Sequence, residues 1–223
     1  MLLPALIAVA AVLHGCPPPP PPPAEHLLTR PRWIENTLVT EYWPSPERWF
    51  HGPLVRAPGI PGRHHSDWLY GARGLPMEGE GIASDGRVYH FAGPYGLGWI
   101  NRAGGVTAPC TAPGAWSNGR PVRLAAPTRA RFAPGHSRTL VYWKNVAVDP
   151  RLIPFGSRIF MKQLCGLPSK GWVVARDTGG AIRGAHIDLY RPPPALPSNG
   201  DVLRNQPMLV VPPGTKPKHV PHC

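Results

Sequence analysis

The chain has 223 residues, of which 33 are Pro and 25 Gly, and its 24 Lys and Arg against 12 Asp and Glu give a net charge of +12. A Pro inside a helix costs ~3 kcal/mol, so this Pro density excludes a helical bundle. Charged residues make up only 16%, which excludes a charge-driven disordered chain and a coiled coil. Between Pro-rich ends the apolar residues recur in short runs of β type, material for one core and little for a second.

In chain order, Leu2 to Leu13 form an apolar run of twelve interrupted only by Pro4. A helix needs about 20 residues to span a bilayer, so the run reads as the core of an export signal over residues 1–15. It ends in Leu13-His14-Gly15-Cys16, which resembles the bacterial lipobox. That resemblance implies that Cys16 becomes the lipidated first residue of a lipoprotein held on a membrane. Ordinary cleavage after Ala8-Val9-Ala10, leaving Cys16 a plain thiol, is the alternative. Residues 16–25 then contain Pro17 to Pro23, a polyproline II spacer about 20 Å long. On either route the protein is exported.

Residues 26–76 read as an irregular extension with one strand, Trp33 to Trp43. From Met77 short β runs are divided by turns: Met77–Ala83, Arg87–Ala92, Thr139–Val148, Arg158–Lys162, Gly171–Arg176, His186–Tyr190 and Met208–Val211. Asp85-Gly86 between the first two is a hairpin signal. No segment shows helical apolar spacing over three turns. The expectation is a compact β-barrel over residues 77–212 and a disordered tail over 213–223.

An exported domain usually pairs its internal cysteines, which predicts a Cys110–Cys165 disulfide and leaves Cys223 as the odd thiol. No Cys-x-x-Cys pair occurs, so no metal is expected, and no cofactor motif is present. The positive charge favours anionic partners, but export and the absence of basic-aromatic interleaving exclude nucleic acid.

Three of the six Asp lie at strand ends or in strands within two stretches. The first runs Val146-Ala147-Val148-Asp149-Pro150 and on to Ile153-Pro154-Phe155-Gly156. The second runs Asp177-Thr178-Gly179-Gly180-Ala181-Ile182-Arg183-Gly184, followed by His186-Ile187-Asp188-Leu189-Tyr190. Alternation puts Ile187 and Leu189 on one strand face and His186, Asp188 and Tyr190 on the other. With the apolar pair in the core, Asp188 faces a groove. Asp149 sits at a strand-to-loop rim, and Asp177 opens a turn whose glycines permit positive φ and close approach of a ligand. Taken singly, each of the three Asp fits a structural role better than a catalytic one, Asp149 and Asp177 as turn formers. Asp188 is harder to dismiss, because Asp is disfavoured inside strands.

These stretches closely resemble the three-aspartate (3D) domain family, which includes the membrane-bound lytic murein transglycosylases. The resemblance implies a mainly β fold, a six-stranded double-psi β-barrel, here with an irregular N-terminal extension and no clear insertion domain. It implies a bacterial envelope enzyme that acts on peptidoglycan glycan strands. Such an enzyme cleaves the MurNAc–GlcNAc β-1,4 bond without water and leaves 1,6-anhydroMurNAc. Its single acid/base falls on Asp188, with Asp177 and Asp149 orienting it, and Thr178, Gly179, Gly180 and His186 contacting substrate. The alternative is a non-catalytic wall-binding module on the same barrel. A monomer is expected.

An Asp with a pKa of ~3.9 is in the wrong state to donate a proton at neutral pH. Burial or neighbouring carboxylates would correct this, and convergence of the three Asp in one groove would supply it. Glu78 and Glu80 alternate on a predicted strand and read as a solvated face, with a second acidic site as the alternative. His64 and His65, being adjacent, cannot share a face to hold a metal. Trp99, Trp116 and Trp143 are candidate sugar platforms, although core roles are commoner.

Overall fold

The computed structural model describes residues 26–100, 123–198 and 200–223. The chain begins with β1 (Arg32–Tyr42), β2 (Ser45–Pro46), β3 (Leu54–Val55) and β4 (His64–His65), then short helices α1 (Ser66–Tyr70) and α2 (Leu75–Glu78). Strands β5 (Glu80–Ile82), β6 (Val88–Gly93), β7 (Trp99–Ile100), β8 (Arg123–Leu124) and β9 (Arg131–Pro134) follow. The last five are β10 (Asn145–Ala147), β11 (Arg158–Phe160), β12 (Trp172–Asp177), β13 (His186–Tyr190) and β14 (Leu203–Val211). No helix among the described residues is long and apolar enough to cross a membrane.

Six strands close a barrel in the order β1-β13-β10-β12-β11-β14. Two of its pairings are parallel, β1 with β13 and β10 with β12, and the others are antiparallel. This is the six-stranded barrel that the motif implied. Period-two alternation fills it: Val146, Val148, Ile159, Val173, Ile187 and Val210 are all fully buried in one cluster. β-branched side chains suit such a pleated, crowded interior.

The boundaries differ from the expected 77–212. The strand read as an isolated feature of an irregular extension is β1, which lies between β13 and β14 in the barrel wall. Residues between β1 and β10 build a second lobe with its own core around Trp68, Leu69, Leu75, Tyr89, Phe91 and Phe132. Composition suggested little material for a second core, and no insertion was expected. Here that core is assembled from strands of two to six residues and two helical turns, too short to leave a periodic signal.

Close backbone approach holds this lobe together. Trp68 donates its Nε1–H to the Ser45 carbonyl at 2.8 Å, and a Cβ on Gly81 would lie 2.7 Å from the Trp68 ring. The predicted Asp85-Gly86 turn joins β5 to β6, with Gly86 at φ 83° and Ile82 opposite Val88. Glu47, only 2% exposed, accepts hydrogen bonds from the backbone N–H of His65 and Ser84, each at 2.9 Å, and lies 3.2 Å from His64 Nδ1. Burial alone would raise its pKa, but these bonds bring it below the usual range.

The expected disulfide is also corrected. Cys165 is bonded to Cys223, with Cα atoms 5.5 Å apart, and Cys110 lies outside the described residues. Cys165 follows a 3-10 turn at Lys162–Leu164, and the Pro-rich tail returns to meet it beside Gly171. Residues 213–223, expected to be disordered, are therefore pinned to the barrel by a covalent bond. The signal segment, Cys16 and the polyproline run also lie outside the described residues.

Candidate functional site

The site grows out of one level of the barrel wall. Parallel pairing of β1 with β13 sets Thr40 opposite Asp188. Ala147 on β10 is the register partner of Asp188 on one side and of Asp177 on the other. Val146 and Val148 point into the core, so Ala147 and its partners share the opposite face. A methyl group between the two aspartates leaves their carboxyls room on that face.

Thr40 donates its hydroxyl to Asp188 Oδ1 at 2.7 Å and lies 2.9 Å from His186 Nε2. Burial drives the Asp188 pKa up from 3.8 to about 6, and the charges of Asp177 and Glu41 push the same way against the Thr40 hydrogen bond. Asp177 accepts from the Tyr42 hydroxyl at 2.8 Å and from the Thr178 N–H at 2.8 Å, and Arg138 approaches it at 3.6 Å. Burial, with Asp177 beside it, raises the Tyr42 pKa. Burial lowers that of His186, favouring a neutral imidazole, although a hydrogen bond with the Ala181 backbone acts against this. Asp177, Asp188 and His186 thus meet in one place, as the sequence suggested.

Asp149 does not join them. Its carboxylate, on a residue only 2% exposed, takes two hydrogen bonds from the Arg151 guanidinium at 2.8 Å and one from the Gly184 N–H at 2.9 Å. Burial would raise its pKa, but these partners hold it at about 2. The expected convergence of three aspartates is corrected to two. The third fastens the loop that leads into β13. Positive φ also falls elsewhere than foreseen: Gly184 is at 58°, while Gly179 and Gly180 are not in the left-handed region. A Cβ on Gly180 would touch nothing within 4 Å. Thr178 and Gly180 are exposed on this loop.

The acidic neighbour that the sequence placed wrongly is Glu78. It was expected on a strand face with Glu80, but Pro76 sits in the first turn of α2 and Gly79, at φ 80°, ends it. The two glutamates therefore part. Glu80 turns to Ser137 N at 2.9 Å and His136 Nδ1 at 3.0 Å. Glu78 lines a cavity of about 110 Å³ with Glu41, Trp43, Trp49, Arg73 and Ser198. Burial, then the nearby Asp188 charge, raise its pKa to about 8 against the pull of Arg73.

The tryptophans that line this cavity are Trp43 and Trp49, packed edge to face with centroids 6.2 Å apart. Trp99 packs on the second core and Trp143 on the first; Trp116 lies outside the described residues. Thr40, Tyr42 and Arg138 were not foreseen. Leu38, Thr40 and Tyr42 share one face of the predicted strand, but only its parallel pairing with β13 brings Thr40 to Asp188. Among the described residues no group of three His, Cys, Asp or Glu is placed to hold a metal ion.

The family model of the 3D domain matches residues 144–204, a segment holding Asp149, Asp177 and Asp188. The chain carries a 3D domain. Two Bacillus subtilis proteins are similar over much the same length. YabE, named for cell wall shaping, is 39% identical over 64 residues, and the cell wall-binding protein YocH is 41% identical over 59. Each match covers 26% of this chain, but only 14% and 18% of those proteins. Among solved structures, Escherichia coli MltA with bound chitohexaose is 18% identical with a TM-score of 0.45, over 79% of this chain and 71% of that one. The membrane-bound lytic murein transglycosylase of Agrobacterium tumefaciens is 15% identical with a TM-score of 0.41, over 79% and 74%.

Proposed function

We propose that the protein is an exported peptidoglycan lytic transglycosylase, held at the bacterial envelope through lipidated Cys16 and acting on MurNAc–GlcNAc β-1,4 bonds. The observation that carries this reading is Asp188: a half-buried carboxyl on the groove face of the 3D domain, hydrogen-bonded by Thr40 and raised to about 6. In the minimal cycle Asp188 protonates the leaving glycosidic oxygen. As a carboxylate it then takes the proton of the MurNAc C6 hydroxyl, whose oxygen closes on C1. The nucleophile belongs to the substrate, so no water need be activated.

The other residues take supporting roles. Asp177, steadied by Tyr42 and Arg138, keeps negative charge near Asp188, and Asp149 holds the 181–184 loop in place. The open space at Gly180 leaves room for a sugar near Thr178, Gly179 and His186. The second reading is a wall-binding module without catalysis, favoured by the likeness of the 3D segment to a cell wall-binding protein.

The test is to incubate the purified mature protein with isolated sacculi and weigh the released fragments. The expected products end in anhydroMurNAc, one water lighter than reducing ends, and Asp188→Asn releases none. Reducing ends would mean hydrolysis. Pelleting with sacculi without any release would establish the binding module.

A further inference from the structure

We propose, resting on the anchored reading above, that the outer side of β11 and β14 and the disulfide-bonded tail form a basic face. It docks on the anionic phospholipid headgroups of the membrane that carries the anchor. Residues 150–176 hold five Lys or Arg and residues 202–223 hold three, and neither segment contains an Asp or Glu. Of the five Lys in the chain, four fall here: Lys162, Lys170, Lys216 and Lys218. All four are exposed, and among the described residues no ion pair engages any of them.

The fold brings the two segments together. β11 lies between β12 and β14, and alternation sends Ile159 into the core and Arg158 and Phe160 outward. Phe160 packs there with Leu209, Val211 and Trp172, and the Arg158 guanidinium lies over the Trp172 ring at 4.4 Å. The tail crosses this outer side. A Cβ on Gly156, just before β11, would lie 3.3 Å from Pro213, and one on Gly171 would lie 3.1 Å from Cys223 Sγ. Gly171 stands past the far end of β11, where its carbonyl accepts from the Met161 N–H at 2.9 Å. Lys216 and Lys218 are thus held along β11, and the disulfide at Cys165 fastens the tail between Lys162 and Lys170.

The placement of this face fits a lipid surface. The chain enters the barrel at the start of β1, where Arg32 is the register partner of Val210 on β14. A tether from Cys16 therefore reaches the barrel beside the basic face. In the closed ring β11 stands across from β13, and β14 across from β10. A membrane against β11 and β14 thus leaves Asp188, on β13, turned to the other side. Lys is a compact point charge without the planar fork by which Arg clasps a single carboxylate or phosphate, so it suits a diffuse charged surface. Val220, 49% exposed, adds an apolar contact beside Lys218 and His219.

The test uses the full mature chain with Cys16→Ser, so that no acyl chain contributes, and vesicles of phosphatidylcholine alone or with about a quarter phosphatidylglycerol. The protein is expected to sediment with the anionic vesicles only. Raising salt from about 0.1 M to about 1 M, which cuts the screening length from ~10 to ~3 Å, should release it. Lys162→Gln, Lys170→Gln, Lys216→Gln and Lys218→Gln together should weaken binding about 100-fold or more, at about fivefold for each. Arg56→Gln, Arg63→Gln, Arg87→Gln and Arg129→Gln, exposed on the other lobe, remove the same charge and should change it little. Equal losses from the two sets, or no preference for anionic vesicles, would overturn the inference. So would lysine-dependent pelleting on sacculi without vesicle binding, which would assign the face to an anionic wall polymer. The lysines lie outside the candidate site, so the lysine variant should release anhydroMurNAc from soluble glycan at the wild-type rate. Absence of an acyl mass on Cys16 in the native protein would sink the anchored reading and this inference with it, whereas the vesicle results alone leave that reading standing.

Discussion

Asp149 and Asp188 show how two aspartates of one motif are driven apart by their surroundings. Asp149 is depressed to about 2 and Asp188 raised to about 6, from a common 3.8. The stability that Asp149 contributes is present above its unfolded pKa and is lost as pH falls from about 4 through about 2. At about 1.4 kcal/mol per unit that is about 2 kcal/mol. Asp188 acts in the opposite sense. Its raised pKa removes stability as pH climbs from about 4 to about 6, by about 2–3 kcal/mol, and the loss stays constant above that. Denaturant unfolding across pH 2–8 should therefore show Asp149→Asn destabilised by about 2 kcal/mol at neutral pH and close to the wild type near pH 2. Asp188→Asn should be the more stable protein above pH 6 while releasing no fragments from sacculi, the trade expected of a functional site that holds a costly group. Equal curves for Asp188→Asn and the wild type would mean that the Asp188 carboxyl is not desolvated.

Among the elements, β13 was legible to the residue. Its alternation and flanking turns gave His186–Tyr190, and Ile187 and Leu189 are in the core as expected. β1 was found as a strand but not as a barrel strand, because parallel pairing across some 146 residues leaves no local trace. Glu78 was misplaced for a related reason: a four-residue helix ended by glycine has the same spacing as the start of a strand. The disulfide was misassigned because cysteine spacing cannot fix connectivity. Its partner in the fold gives the tail a purpose. Cys165 and Cys223 close a loop of 58 residues that includes β12, β13 and β14. Constraining the unfolded chain over such a loop is worth about 2–4 kcal/mol. Cys223→Ser should lower stability by that amount, read as a drop in Tm that added reductant reproduces in the wild type. An unchanged Tm would show that the tail contributes nothing beyond the packing of β14.

On the scale of the molecule, the candidate site is framed by two cores. The barrel core carries Asp188 and Asp177, and the insertion core carries α2 and with it Glu78. These cores are built differently. The barrel is closed by continuous strand pairing, whereas the insertion relies on aromatic packing around Trp68, which touches the rings of His64 and Tyr89 and bonds to Ser45. Trp68 is fully buried, so Trp68→Ala should cost about 3–5 kcal/mol, and that cost falls on one lobe. Hydrogen exchange followed by mass spectrometry should show amides of β5, β6 and β9 losing protection while those of β10, β13 and β14 keep theirs. Cleavage of sacculi should fall with the insertion, although the 3D segment itself remains folded. A uniform loss of protection would instead mean that the two cores unfold as one unit. The groove would then be a rigid product of the whole fold rather than a gap between two parts of different stability.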